Sequence, residues 1–213
     1  MLDGSALKQV VQAFGTHSAK LDNVLLVIGN GESRKHIDLE IFKKDHILIG
    51  CNAIHRDIEV DHLICCDKRM VDEALKNNVQ STIYIREDQA PLFPQLTIVP
   101  QLPYRGEEKK DQSEHWNSGP YAVLLAATLG FDDVKLLGFD LYPSNDKVNN
   151  IYKDSPNYSK SNSKPINYSF WIYQISKIFE YYPNIRFTIL NHQDWAMPNQ
   201  WILPNVKFQP LNG

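Results

Sequence analysis

The sequence predicts one α/β domain, a doubly wound and mostly parallel sheet with helices on both faces, and three observations carry that expectation. Short apolar runs without polar alternation recur at residues 24–28, 47–51 and 62–66, the pattern of strands covered on both sides. Segments with helical spacing or helix-end signals alternate with them, the rhythm of a parallel sheet. Finally, 213 residues with 43% hydrophobic and 22% charged side chains suffice for one large core. That composition excludes wholesale disorder, collagen-like repeats and a coiled coil.

The elements follow in order. Residues 1–20 read as a short amphipathic helix with Leu7, Val10, Val11 and Phe14 on one face, ending near Gly15. A linker runs to residue 23. Strands are expected at 24–28, 47–51, 62–66 and 82–85, with a helix at 68–76. Residues 96–99 form a fifth strand confined to an edge or loop by Pro91, Pro94, Pro100 and Pro103. The clearest helix spans 118–130: Ser118 can cap it, Pro120 fits its first turn, and Gly130 can stop it in a left-handed conformation. A strand at 134–138 ends at Phe139-Asp140. Residues 142–164 are polar and without periodicity, the signature of a lid-like or flexible loop. A long helix follows Pro165, with Ile166, Phe170, Ile175, Ile178, Phe179 and Tyr182 at helical spacing, and 186–190 closes as the last strand. The expected organisation is therefore an N-terminal helix and linker (1–23), a nucleotide-binding domain (24–190) and a surface-wrapping tail (191–213). No internal repeat is present.

Composition also narrows the function classes. A formal charge of -3 lacks the basic field of a duplex-binding protein, so no nucleic-acid partner is expected. No run approaches the roughly 18–20 apolar residues of a membrane span. The three cysteines, Cys51, Cys65 and Cys66, cannot all pair and lie in apolar strands, which suits buried, reduced thiols. With no secretion signal at the N-terminus, the expected location is cytoplasmic. No zinc-ligand spacing occurs.

In open parallel sheets ligands bind beyond the C-terminal strand ends. That rule selects Gly29-Asn30-Gly31-Glu32-Ser33, Cys51-Asn52-Ala53, Asp67-Lys68-Arg69, Asn117-Ser118-Gly119 and Gly138-Phe139-Asp140-Leu141-Tyr142. Two glycines after a buried strand let backbone approach a ligand, and the amides at a helix start attract phosphate. Yet GNGES is neither a dinucleotide fingerprint nor a P-loop, so a tight turn explains it equally well. Ser118 is explained as well by helix capping. Asp67 and Asp140, each ending an apolar strand, are open to a ribose, a metal ion or a loop amide. Among the seven histidines none has a sequence-local triad partner; His115, ahead of the second helix start, is best placed. The four tryptophans read as core and tail anchors.

Taken in order, VLLVIGNGES, ILIGCNAI and SGPYAVLLAATLGFDDVKLLGFDLY resemble the bacterial sialyltransferases of glycosyltransferase family 42. They are also similar to the related domain-of-unknown-function 115 group, to which VDHLICCD is the better fit. The resemblance runs over about residues 24–190 with gaps, and residues 118–142 are its most specific part. It implies a Rossmann-like transferase that binds a cytidine-monophosphate sugar without a metal ion. Asn30, Ser33, Asn52, Ser118 and Gly119, with Gly29, Gly31, Asn117 and Asp140 beside them, would surround the nucleotide. Tyr142 and, more loosely, Tyr152 would hold the departing phosphate during direct displacement at the anomeric carbon. His115 stands where the family carries an arginine, and Glu32 where it carries a proline. The family's loop histidine, the base that deprotonates the acceptor, has no counterpart between Trp116 and Asn191, a loss typically worth about 10² to 10⁴ in rate.

Two alternatives stand beside this reading. A pterin-diphosphokinase-like enzyme would move pyrophosphate from ATP, with Mg²⁺ held by Asp67 and Asp140. A degenerate member would bind nucleotide without turnover. In the leading reading the partners are a nucleotide-sugar donor and an unidentified acceptor.

Overall fold

The computed structural model describes residues 24–211; the expected helix and linker of residues 1–23 lie outside the described residues. Eight strands follow one another as β1 (Val24–Ile28), β2 (His46–Cys51), β3 (His62–Cys65), β4 (Thr82–Ile85), β5 (Thr97–Ile98), β6 (Asp133–Leu137), β7 (Arg186–Asn191) and β8 (Val206–Pro210). Among the described residues three helices, α1 (Lys68–Lys76), α2 (Ser118–Thr128) and α3 (Ser169–Tyr181), and several 3-10 turns connect them. The strands form one sheet in the order β5-β4-β3-β2-β1-β6-β7-β8, and every pairing is parallel. The chain thus builds outward from β1 to β5, crosses back through α2, and builds outward again from β6 to β8.

Alternation along the strands divides the core into two layers, because successive side chains point to opposite faces. Leu25 and Val27 of β1 face a layer containing α2, α3 and Trp201. Leu26 and Ile28 face another containing α1 and the 3-10 turn Asn52–Arg56. Helix α2 is wedged between sheet and α3, so that Ser118 and Pro120–Ala127 are all buried; its unbroken apolar composition follows from that position. The two-sided cover is what permits β1, and β2 and β3 after the histidines that open them, to be apolar.

Two expectations are corrected. Helix α3 begins at Ser169, not directly after Pro165, because the Asn167 carboxamide accepts the Ser169 amide at 3.0 Å and holds a turn there. Ile166 is left outside the helix and exposed. The tail does more than wrap the surface: Asn191 completes β7, and residues 206–210 add β8 to the sheet edge. Its anchors are Trp201, fully buried with Nε1 donating to the Ile172 carbonyl at 2.9 Å, and Asn205. The Asn205 Nδ2 donates to the carbonyls of Phe179, Tyr182 and Ile185, covering the C-terminal end of α3, where helix carbonyls lack intrahelical donors.

Cys51, Cys65 and Cys66 are free and buried. Burial pushes all three thiols up, Cys66 to about 12, so they remain protonated and pack as small apolar groups. No helix of the described residues is long and apolar enough to cross a membrane.

One core residue makes stability depend on pH. His62 opens β3, buried against Tyr84 with ring centroids 5.6 Å apart, and burial lowers its pKa below the ordinary 6.5. The unfolded chain therefore takes up this proton at a higher pH than the folded one, and stability falls as pH drops below about 6.5, by at most ~1.4 kcal/mol per unit. The urea midpoint is expected to decline between pH 7.5 and 5.5. His62→Phe should flatten that decline, leaving a residue from His46, whose pKa burial also lowers. A midpoint of the wild type that does not move over this range would refute the linkage.

Candidate functional site

The sheet order reverses between β1 and β6, where connections leave in opposite directions and open a crevice above the strand ends. Two glycines make that crevice. Gly29 follows β1 and Gly138 follows β6; the Gly29 amide donates to the Leu137 carbonyl at 2.8 Å and the Gly31 amide to the Gly138 carbonyl at 2.9 Å. A Cβ on Gly29 would lie 2.4 Å from the Gly138 oxygen, so only a bare backbone fits. Gly138 itself has φ +74°, the left-handed region that glycine enters without strain.

Beyond the glycines, each strand end contributes one polar group. After β1, the Asn30 side chain donates to the Cys51 carbonyl at 3.3 Å and to Tyr158 Oη at 3.2 Å. After β2, Asn52 takes φ +52°, a conformation asparagine tolerates, and its Oδ1 accepts from Ser118 Oγ at 2.9 Å. Ser118 Oγ in turn accepts the Cys66 amide at 3.1 Å. The hydroxyl expected to cap α2 therefore ties the helix start to β2 and β3. Asn117 occupies the N-cap position, with no side-chain cap bond. The first-turn amides of α2 have no intrahelical acceptor, and Pro120 has no amide to satisfy.

These groups converge. Gly29, Asn30, Gly31, Asn52, Asn117, Ser118, Gly119 and Asp140, all selected from the sequence, line one cleft of 150 Å³. Asn149, Asn150 and Trp171 line it as well and were not selected. The two asparagines lay in the polar 142–164 stretch without a motif to single them out. Leu141 has φ +65°, an outlier for a branched side chain that no sequence pattern announces.

Four of the expected site residues lie elsewhere. Ser33 is buried behind the cleft, its hydroxyl and amide both given to the Asp140 carboxylate, the amide at 2.9 Å. Asp140 thus closes the 3-10 turn Glu32–Arg34 rather than standing free. Tyr152 belongs to the opposite layer; its hydroxyl donates to Asp57 at 2.5 Å and accepts from Arg34 Nη2 at 2.9 Å. Tyr142 packs edge-on against Tyr168 at 5.1 Å and beside Trp195. His115 ends a 3-10 turn and offers its carbonyl to Gln174. The tyrosine that does reach the strand ends is Tyr158, whose hydroxyl accepts from Asn30 and from the Ala53 amide at 3.4 Å. Burial raises its pKa above the ordinary value, so it stays neutral.

Residues 149–158 form a strap beside the cleft. The Ile151 amide donates to the Asn30 carbonyl at 2.9 Å, Asn149 Oδ1 accepts the Glu32 amide at 2.8 Å, and Lys153 pairs with Glu32 at 2.6 Å. That pairing absorbs the negative charge of Glu32.

No lysine, arginine or histidine lines the cleft among the described residues, and its one carboxylate, Asp140, is already bonded to Ser33. Recognition there falls to neutral amides, a hydroxyl and helix-start N–H groups. Asp67 and Asp140 do not share a site. They end β3 and β6, three strand spacings apart in the sheet, or about 14 Å, and Asp67 is exposed. Among the described residues no three His, Cys, Asp or Glu side chains gather as a metal site.

No family model and no curated protein matches the sequence. Solved structures do resemble it. The monofunctional α-2,3-sialyltransferase Cst-I of Campylobacter jejuni aligns with a TM-score of 0.55 at 16% identity, over 87% of this chain and 81% of that one. The sialyltransferase CstII of the same organism, solved in complex with the substrate analogue cytidine-5'-monophosphate, aligns at 0.51 and 16%, over 80% and 81%. A Maf glycosyltransferase of Magnetospirillum magneticum AMB-1 aligns at 0.52 and 15%, over 92% of this chain but 34% of that protein. At such identities the likeness establishes a shared sialyltransferase-like fold.

Proposed function

We propose that the chain is a nucleotide-sugar-dependent glycosyltransferase of the sialyltransferase-like group, with a cytidine-monophosphate sugar as donor. The observation that carries this reading is the convergence of Asn30, Asn52, Ser118 and Gly119 on one cleft at the switch point. Its charge supports the donor class. A nucleoside monophosphate sugar carries one phosphodiester charge, which amides and a helix start can hold. A nucleoside diphosphate sugar or ATP brings more charge and calls for cations that this lining lacks. The separation of Asp67 from Asp140 likewise weighs against the magnesium-dependent diphosphokinase reading.

In this proposal the phosphate lies against the first amides of α2, with Asn30 and Asn52 toward the nucleoside. Hydrogen bonds to the phosphate would strengthen as the glycosidic bond breaks and charge collects on the leaving group. One observation favours a second reading, nucleotide binding without transfer: among the cleft-lining residues no histidine stands ready to deprotonate an acceptor hydroxyl.

Titration calorimetry tests the proposal. CMP is expected to bind with the same affinity in EDTA, and more tightly than UDP or ATP with Mg²⁺. Asn30→Ala and Ser118→Ala should each weaken CMP binding by up to about 10-fold, the value of a neutral hydrogen bond lost directly or through Asn52. Magnesium-dependent ATP binding, or no nucleotide bound at all, would overturn it. Turnover across a panel of CMP-sugars separates transfer from binding alone.

A further inference from the structure

Asn52 lines the cleft, and its neighbours have already assigned the polarity of its side chain. The Cys66 amide donates to Ser118 Oγ at 3.1 Å, and the Ser118 hydroxyl in turn donates to Asn52 Oδ1 at 2.9 Å. That order makes Oδ1 an acceptor. It leaves the Nδ2 hydrogens, which no hydrogen bond among the described residues uses, as the donors Asn52 can turn to a ligand. Their direction depends on a backbone at φ +52°, and a residue other than glycine stays left-handed only where its surroundings hold it. We propose that His55 supplies that hold, as a positioning residue whose Nδ1–H fixes the Asn52 carbonyl and so aims the Asn52 amide at the nucleotide.

His55 belongs to the same 3-10 turn, Asn52–Arg56, and its side chain is 3% exposed. Nδ1 lies 3.0 Å from the Asn52 carbonyl oxygen. A carbonyl only accepts, so Nδ1 carries the proton. The far side of the ring faces the C-terminal end of α1, with Nε2 3.2 Å from Asn77 Nδ2 and 3.4 Å from Glu73 Oε1. A neutral ring accepts there from Asn77 and a charged ring donates to Glu73; the Nδ1–H bond to Asn52 is common to both. Glu73 is itself held by the Arg56 guanidinium, with Nε–Oε1 at 2.6 Å and Nη2–Oε2 at 2.7 Å. The imidazole is thus a strut between a fixed point on α1 and the backbone of a cleft residue. His55 is not part of the cleft lining, so its route to a ligand runs through Asn52.

The ligand side of this inference rests on the proposed function; the hold on Asn52 does not. Two amide replacements separate the two ends of the ring, because an asparagine amide nitrogen can stand in for Nδ1 and a glutamine amide nitrogen for Nε2. His55→Phe and His55→Gln, which lose the bond to Asn52, should each bind CMP about five- to tenfold more weakly, the value of one hydrogen bond. His55→Asn, which keeps a donor for the Asn52 carbonyl, should rescue affinity to within about twofold of wild type. The reverse order, with glutamine binding like wild type and asparagine not, would overturn the proposal, since the ring would then only pack the turn against α1. Equal affinity in all three variants, whether kept or lost, would overturn it too. The wild type gives a second readout that needs no ligand. Long-range proton–nitrogen NMR spectra, taken on the alkaline side of the His55 titration, should show the Nδ1–H tautomer, the His55 signals being identified by their absence from His55→Asn. An Nε2–H tautomer there would refute the strut. An Nδ1–H tautomer in a wild type that binds no nucleotide would uphold the hold on Asn52 while removing the nucleotide reading.

Discussion

Gly29→Ala is expected to destabilise the protein by about 3 kcal/mol, at the upper end for an overpacked interior, and to remove nucleotide binding. The added Cβ would sit 2.4 Å from the Gly138 carbonyl oxygen and 3.0 Å from its carbon. The obstacle is backbone, not the end of a flexible side chain, so β1 and β6 must part at the centre of the sheet. Their separation would also disturb the Gly31-to-Gly138 hydrogen bond that shapes the cleft. Gly119→Ala is the informative contrast. Its Cβ would meet nothing closer than Phe139 at 3.6 Å, and alanine suits a helix better than glycine by up to about 1 kcal/mol. That variant should fold at least as well as wild type yet bind CMP more weakly, because the methyl group occupies cleft space. Urea midpoints paired with calorimetry separate the two effects. Equal stability for Gly29→Ala and wild type would show that the close approach does not constrain the fold.

Arg34→Met is expected to cost about 3 kcal/mol, in the range for breaking a buried, charge-assisted network. The Arg34 side chain is 3% exposed and serves three elements at once. Nε donates to the Gly29 carbonyl at 2.7 Å, Nη1 to Asp57 at 3.2 Å and Nη2 to Tyr152 Oη at 2.9 Å. Methionine fills much of the volume but leaves the Gly29 carbonyl unpaired at the switch point. Arg34→Lys should recover only part of the loss, because an ammonium cannot span three acceptors in a plane. The measurement is the urea midpoint of the three proteins. A midpoint for Arg34→Met within about 0.5 kcal/mol of wild type, the usual scatter of surface substitutions, would refute this role.

The two-faced burial of β1, β2 and β3 was legible because, past the histidines that open β2 and β3, those runs are apolar without alternation. The edge strand β8 was not. Val206-Lys207-Phe208-Gln209 alternates weakly between prolines, and such a segment is a strand only once β7 offers it a partner. At the site, Asn30, Asn52 and Ser118 could be selected because strand ends in an open parallel sheet mark the crevice whatever the chemistry. Ser33, Tyr152 and His115 lie outside the cleft for a common reason. Each has the right residue type near the right turn, yet local sequence does not say which way a side chain leaves the backbone or what else claims it. Ser33 is claimed by Asp140, 107 residues away. Tyr152 is claimed by Asp57 and Arg34, leaving Tyr158, six positions on, to reach Asn30.

The sequence by itself determined the layering, the parallel sheet and the position of the crevice, because hydrophobic periodicity and glycine placement are local properties that a few residues express completely. Tertiary structure alone decided which hydroxyls and carboxylates remain available to a ligand, and that the strap closes one side of the cleft. Those outcomes depend on hydrogen-bond partners brought together from about a hundred residues apart, and a buried polar group takes whichever partner the packing supplies.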